Sequence, residues 1–447
     1  MLGEYGIEGR RATEIAASVE RAVGSGVLAP GQLLPPLREL ADQLGVNPNT
    51  VGAAYRTLRD RGVIATAGRR GSRVRPRPAS TARESIRADI PAGVRDLASG
   101  NPDRALLPPL AGALAAAAAR SDERAVLYGE AGVDPGLERL ARAALGADGV
   151  PQGPLAVLSG SLDGIERVLA AHLRPGDSVA IEDPGWGALL DLVPALGLRP
   201  VPMGVDSEGP LPGEAERALR EGARALVVTA RAQNPTGAAV SPARADALRT
   251  LLRDHPGVLL IEDDHGHGIA DLPLSPLAGA TDHWAFVRSV SKAYGPDLRL
   301  AVLTGDTITM DRVLGRQRLG PGWVSHLLQS AVVELWTSGA VDVPAVSLSY
   351  GRRRDALIEA LAGRGLDACG RSGMNVWVPV PDETGVVARL LHSGWAVAPG
   401  ARFRMAAPPG VRLTVSQLGP DDIGPVADAV ASGAGAPPPP PTPTRPP

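Results

Sequence analysis

Residues 289–301 read "SVSKAYGPDLRLA", and Lys292 within them is the only lysine among 447 residues. The chain holds 46 Lys plus Arg, so the other 45 are arginine. Guanidinium stays protonated at any physiological pH, whereas an amine in a suitable site loses its proton and attacks a carbonyl. A salt bridge or a solvated charge would be served about as well by Arg. Either one codon escaped a compositional bias by chance, or Lys292 is kept for its nucleophilic nitrogen. The surrounding pattern decides between them.

Lys292 follows an apolar run, "WAFVRSV" (284–290), and precedes another, "LRLAVLTG" (298–305). Similar runs stand at "LAVLS" (155–159), "SVAIED" (178–183), "ALVVTA" (225–230) and "VLLIEDD" (258–264), with amphipathic helical stretches between them. Short, continuous, branched runs separated by helices predict a largely parallel sheet buried on both faces. From about Val341 onward, helices alternate with short strands such as "NVWVPV" (375–380) and "VRLTVS" (411–416), which predicts a smaller second lobe.

Open α/β sheets bind ligands at the carboxyl ends of their strands, and polar motifs stand there. "LSGSLDGIE" (158–166) places Gly160 and Ser161 at a helix start, where free N–H groups hold a phosphate. "IEDPGWG" (181–187) brings Trp186, a flat ring suited to stacking, and "RAQNPTG" (231–237) brings Asn234. "IEDDHGHG" (261–268) sets Asp263 and His265 just beyond a buried strand, and "SVSKAYGPDLRL" supplies Ser289, Ser291, Lys292 and Arg299. Each motif has a bland counterpart. Arg299 and Arg412 could be surface arginines, Asp264 could pair locally, and Glu182 and Glu262 could simply end strands. His267 and His283 read as structural.

The N-terminal region is different. Met1 to Arg87 carries 14 Arg against 8 Asp plus Glu, or +6, within a chain of net charge −2. Such asymmetry suggests a polyanion-binding module on an acidic body. Ile15, Val19 and Val23 have helical spacing; "PLRELADQLG" (36–45) predicts a second helix with Leu37, Leu40 and Leu44 inward, and Gly45 makes the turn. A third helix starts with Asn47 as N-cap and Pro48 at the first position, and Val51, Ala54, Tyr55 and Leu58 line its inner face. "VIAT-AGRRG-SRV" then reads as two short strands around a basic turn. Three helices with a tight turn, followed by a hairpin, describe a winged helix-turn-helix.

The stretch "LPPLRELADQLGVNPNTVGAAYRTLRDRGVIATAGRRGSRV" (34–74) resembles the DNA-binding domain of the GntR superfamily. Residues 96–433 resemble the fold-type I aminotransferases, with the motifs in that family's order and spacing. The combination is similar to the MocR subfamily of GntR regulators. It implies an α/β chain with a winged helix-turn-helix over 1–75 and a linker over 76–95. An aminotransferase-like domain then spans 96–433 as a large, mostly parallel α/β/α lobe and a smaller C-terminal α+β lobe, before a Pro-rich tail over 434–447.

The resemblance further implies pyridoxal 5′-phosphate (PLP), with Lys292 forming the internal aldimine and Asp263 pairing with the protonated pyridine nitrogen. Asn234 would donate to the phenolic oxygen and Trp186 would stack on the ring. Ser289, Arg299, Ser161 and the Gly160 backbone would bind the phosphate. Tyr128, in "YGEAGVDPGLERL" (128–140), matches the tyrosine that reaches the neighbouring subunit's cofactor, implying a homodimer. Arg412 matches the arginine that binds a ligand carboxylate bidentately. Where the family usually has Tyr, this sequence has His265, whose imidazole is also able to reach the phenolic oxygen. On double-stranded operator DNA, Asn47, Asn49 and Thr50 would read base edges, Arg38 would touch phosphate or base, and Arg69, Arg70 and Arg73 of the wing would reach backbone or minor groove.

Two functions follow. In one, an amine or amino-acid effector exchanges at the Lys292 aldimine and changes DNA affinity. In the other, the body is a working aminotransferase carrying an appended DNA-binding domain. Cys369 is the only cysteine, so an intramolecular disulfide or a cysteine metal cluster is excluded, and no metal is expected. No signal-peptide pattern and no run of about 18 apolar residues appears, so the expectation is a cytoplasmic protein without membrane contact.

Overall fold

The computed structural model describes residues 6–24, 27–29, 31–60, 63–66, 71–74, 83 and 90–434. Arg69 and Arg70, most of the expected linker and the tail beyond residue 434 lie outside these. Two compact units make up the chain, a small N-terminal one and a larger C-terminal body.

The N-terminal unit contains α1 (Ala12–Gly24), α2 (Leu37–Leu44), α3 (Pro48–Asp60) and the antiparallel pair β1 (Ile64–Thr66) and β2 (Ser72–Val74). Ile15, Val19, Leu40, Val51, Ala54, Leu58, Ile64 and Val74 form its own core. Gly45 ends α2 at φ +61°, a left-handed conformation that glycine adopts without steric cost, and returns its N–H to Ala41 and Asp42. Asn47 Oδ1 then accepts the N–H of Asn49 at 2.8 Å, capping α3. One expectation fails here. Leu37 is 41 % exposed, and Ala41 takes the inward place beside Leu40. Leu37 is the first residue of α2, and the inward face of so short a helix is set one residue further on.

The body begins at β3 (Arg95–Asp96), followed by α4 (Ala111–Glu123), α5 (Pro135–Ala147), β4 (Leu155–Leu158), α6 (Ser161–His172), β5 (Ser178–Asp183) and α7 (Gly187–Ala195). Next come β6 (Arg199–Asp206), β7 (Gly209–Pro210), α8 (Pro212–Arg220), β8 (Ala223–Thr229), α9 (Pro242–Arg253), β9 (Leu259–Asp264), β10 (His283–Ser289), α10 (Ser291–Tyr294) and β11 (Ala301–Gly305). One eight-stranded sheet has the order β4-β11-β10-β9-β8-β5-β6-β7. β8, β9 and β10 run parallel, and β11 is antiparallel to both β10 and β4. Strands β4, β5, β9 and β11 are buried along their whole length, as a sheet covered on both faces requires.

After α11 (Thr307–Arg318), α12 (His326–Thr337) and α13 (Val343–Ala362), the chain forms β12 (Asn375–Pro379), α14 (Glu383–His392), β13 (Trp395–Ala396), β14 (Ala398–Pro399), β15 (Gly410–Thr414) and α15 (Pro420–Ala434). β15 is the central strand of an antiparallel sheet, flanked by β12 and β14. β13 pairs in parallel with β3, and Thr414 N–H donates to Leu97 O, which brings residues 97–102 beside the C-terminal lobe. No described helix is long and apolar enough to cross a membrane.

Candidate functional site

The carboxyl ends of β8, β9 and β10 lie side by side, with Thr229 opposite Asp263 and Val287 opposite Asp263 in register. Beyond them a cavity of about 410 Å³ opens, and Lys292, Gly160, Ser161, Trp186, Asn234, His265, Ser289, Arg299 and Arg412 all line it. The cavity therefore collects residues from positions 99 to 412. Asp263 sits just behind the lining, 2 % exposed at the end of β9. Tyr128 is not in the cavity; it is 93 % exposed, its ring edge-on to Trp323 at 5.6 Å between centroids.

Gly160, at φ +103°, leads into α6, and a Cβ there would lie 2.8 Å from Arg299 Nη2. Glycine is needed because the guanidinium closes over the helix start. Arg299 is itself left-handed at φ +43° and donates to Ser159 O at 2.8 Å. Ser289 Oγ accepts the Ser291 N–H at 3.2 Å, and the buried Ser161 Oγ has no hydrogen-bond partner among the described residues. An anion at this helix start would complete that hydroxyl's bonding.

Lys292 Nζ donates to Gly100 O at 2.9 Å. Arg412, on the central strand of the small sheet and 3 % exposed, donates to Asn234 Oδ1 at 3.0 Å and to Ala98 O. With its Oδ1 so occupied, Asn234 leaves its amide nitrogen as donor toward the cavity. Asp263 Oδ2 meets His265 Nδ1 at 2.9 Å, while Asp263 Oδ1 has no hydrogen-bond partner among the described residues. The other ring nitrogen of His265, Nε2, is 3.0 Å from Ala232 O. Both ring nitrogens are thus engaged within the chain. Burial disfavours a charged ring, but the Asp263 charge and hydrogen bond outweigh it and raise the His265 pKa above the ordinary 6.5.

Neighbouring Asp264 has another environment. It is fully buried, with Arg231 Nε and Arg288 Nε each at 2.8 Å. Burial alone would favour its neutral form, but the two guanidinium charges hold its pKa well below the carboxylate range. Glu182 and Glu262, read as strand ends, are both buried. Glu182 accepts from Thr229 N and Oγ1 at 2.8 Å and from Gln233, and burial pushes its pKa to about 7. Glu262 accepts from Leu277 N and Ala278 N, and burial pushes it to about 8. Lone carboxylates on buried strands carry no sequence mark of this.

Sequence reasoning missed Ala98 and Gly100, which act through backbone carbonyls, and Arg402, which lines the cavity beside Phe403. Only the turn-forming "SGNP" at 99–102 hinted at the first two. In the other unit, Arg38, Asn47 and Asn49 are exposed and Thr50 is half-buried. Arg73 is exposed and donates to Gly31 O at 3.0 Å. Arg69 and Arg70 lie outside the described residues.

The residues fit PLP on three observations. An unsatisfied hydroxyl stands at the helix start, an unsatisfied carboxylate oxygen lies behind the cavity, and the chain's one amine is in its lining. Residues 92–430 match the family model for aminotransferase class I and II, and residues 11–74 match that for bacterial regulatory proteins of the gntR family. The chain is 40 % identical over 427 residues to the vitamin B6 salvage pathway transcriptional repressor PtsJ of Salmonella typhimurium, covering 94 % of this chain and 98 % of that protein. It is 28 % identical to the pyridoxine biosynthesis transcriptional regulator PdxR of Corynebacterium glutamicum over 74 % of this chain and 73 % of that one. Its fold matches the alpha-aminoadipate aminotransferase of Thermus thermophilus, complexed with N-(5′-phosphopyridoxyl)-L-leucine, with a TM-score of 0.67, 20 % identity, and coverage of 78 % of this chain and 93 % of that one.

Proposed function

The chain belongs to the aminotransferase class I and II family and joins that body to a gntR-family regulatory domain; from this premise we propose that it senses an amine or amino acid by exchange at Lys292. It is a transcriptional regulator with an aminotransferase-like domain, and its cofactor is PLP. When bound, PLP supplies an aldehyde carbon that amines capture reversibly and a ring that withdraws electrons.

In this reading Lys292 Nζ leaves Gly100 O to hold the cofactor. Asp263 Oδ1 would receive the ring N–H, the Asn234 amide would donate to the phenolic oxygen, and Trp186 would cover one face. The α6 N-terminus, with Ser161, Ser289 and Arg299, takes the phosphate. Arg412 receives the effector's carboxylate in place of Ala98 O, which excludes water from that guanidinium. Arg412 also bonds Asn234, so occupation of the carboxylate site is felt at the phenolic oxygen's donor. In this reading the exposed Tyr128 would serve a second copy's site, and we read the chain as a cytoplasmic homodimer. The winged helix would then bind operator DNA in one of two affinities.

The observation that carries the reading is the placement of Lys292 and Arg412 in one cavity, each donating to a backbone carbonyl of residues 98–100 that a ligand would replace. The test is to titrate the PLP-loaded chain with amino acids and simple amines, following cofactor absorbance and operator binding together. An absorbance change that tracks a change in DNA affinity supports it. No amine moving either signal sinks it.

A second reading is favoured by the names of two relatives, which concern vitamin B6 salvage and pyridoxine biosynthesis. In it, PLP is itself the signal, and occupancy of Lys292 is what the DNA-binding unit reports. Operator affinity would then differ between the PLP-free and PLP-loaded chain with no amine present.

A further inference from the structure

His265 stands two residues after Asp263, between two hydrogen-bond acceptors. A backbone carbonyl only accepts, so the contact with Ala232 O places a proton on Nε2. The 2.9 Å contact between Nδ1 and Asp263 Oδ2 needs one more proton, and an ion pair puts it on the ring. The groups facing the ring are Asp263 at the end of β9, the Ala232 carbonyl after β8, Glu182 of β5, Lys292 and the Trp186 ring at 6.3 Å. Lys292 repels a charged ring, while Asp263 and Glu182 attract it.

We infer that His265 is a positioning residue: as an imidazolium it clamps Oδ2 of Asp263 and leaves Oδ1 alone to take the proton of the cofactor's ring nitrogen. The inference rests on the PLP reading of the cavity. Its physical basis is the cost of an isolated carboxylate in a dry site. Asp263 is 2 % exposed, and His265 is the group that bonds its Oδ2, so without that ring the carboxylate would be left unanchored and would hold the ring nitrogen poorly. The raised His265 pKa agrees with a ring that stays charged at neutral pH. His265 would then act through Asp263 and not by touching the phenolic oxygen, which is left to Asn234.

The test uses two compounds, PLP and its deaza analogue, in which a C–H replaces the ring nitrogen. The full chain is stripped of cofactor, and each compound's affinity is measured for the wild type, His265→Gln and His265→Phe between pH 6 and 8.5. Both variants should bind PLP roughly tenfold more weakly or worse at neutral pH, from loss of one charge-assisted hydrogen bond. Binding of the deaza analogue should change less than about twofold, since it has no ring nitrogen for Asp263 to hold. In an Asp263→Asn background, His265→Gln should likewise cost less than about twofold.

Equal weakening of PLP and its analogue would mean that His265 only shapes the pocket, and the inference falls. Unchanged PLP affinity in both variants also overturns it. A wild type that takes up neither compound overturns the cofactor reading, and this inference with it.

Discussion

Arg38 on α2 and Asn49 at the start of α3 stand in solvent, whereas Asp263, Asp264 and Arg412 in the body are at most 3 % exposed and bonded to protein partners. The two regions bear charged and polar side chains for opposite reasons. Water already satisfies the exposed set, so its members are kept for a partner and cost the fold little when changed. The buried set has lost its water, and each member must be paired within the chain or by a ligand. Substitutions in the cavity should therefore have large, residue-specific effects, and those at α3 should have moderate effects seen only in the presence of DNA.

Lys292→Ala offers the largest effect. The chain has no other side-chain amine, so borohydride should fix no cofactor to the variant, while its thermal melt stays near wild type. An adduct still formed elsewhere in the chain would end the assignment.

Asp263 and Asp264 sharpen the comparison within the buried set. Asp264→Ala strands two buried guanidinium groups and should cost about 3–5 kcal/mol of stability, read by denaturant unfolding. Asp263→Asn keeps its shape and its fold but should weaken PLP by about 2 kcal/mol, roughly thirtyfold in Kd. If the two variants exchange these phenotypes, Asp264 is the cofactor's partner.

At the exposed set, Asn49→Ala should cost about 1–3 kcal/mol on the operator and little on random duplex, since it removes a base contact. Arg38→Ala should weaken both and lower the slope of log K against log salt by about 0.9, as loss of one phosphate contact does. The same salt series on Arg69→Ala with Arg70→Ala should lower it by up to about two. Equal slopes in all variants would remove the wing and α2 from the interface.

The smallest effect is on pH dependence. Burial raises Glu182 to about 7 and Glu262 to about 8, so their contribution to stability is whole below the ordinary carboxylate pKa of 4.5 and is lost as pH rises through those values. His172 and His267 are lowered to about 4 by burial, so their contribution is whole above the ordinary 6.5 and is lost as pH falls toward 4. Thermal melts should therefore peak between about pH 5 and 6, and Glu262→Gln should flatten only the alkaline side. A melt that rises steadily to pH 9 contradicts this.

Much of this was legible in the chain itself. The strands β4, β5, β8, β9, β10 and β11 were visible because burial on both faces demands unbroken apolar runs, and a run of branched residues is a local property. The capped start of α3 was visible because Asn47 and Pro48 act on their own backbone. Lys292 stood out by chemistry, as the only amine in an arginine-rich chain. Leu37 was misplaced because apolar spacing in a helix of two turns does not say which face a neighbour covers. The bonding of the strand glutamates was not legible because their partners, Thr229 for Glu182 and Leu277 for Glu262, lie 47 and 15 residues away.

The sequence by itself determined which residue types were available and what each is able to do, namely one side-chain amine, a glycine-serine helix start and a capped third helix in the N-terminal unit. Tertiary structure alone decided that Asp264 is consumed by Arg231 and Arg288, while Asp263 keeps one oxygen without a partner among the described residues. It decided as well that His265 spends both nitrogens on Asp263 and Ala232, and that the carbonyls of residues 98 and 100 meet Arg412 and Lys292. The reason is distance along the chain. A side chain's chemistry is local, but its protonation state, free lone pairs and orientation are set by partners that only folding brings within 3 Å.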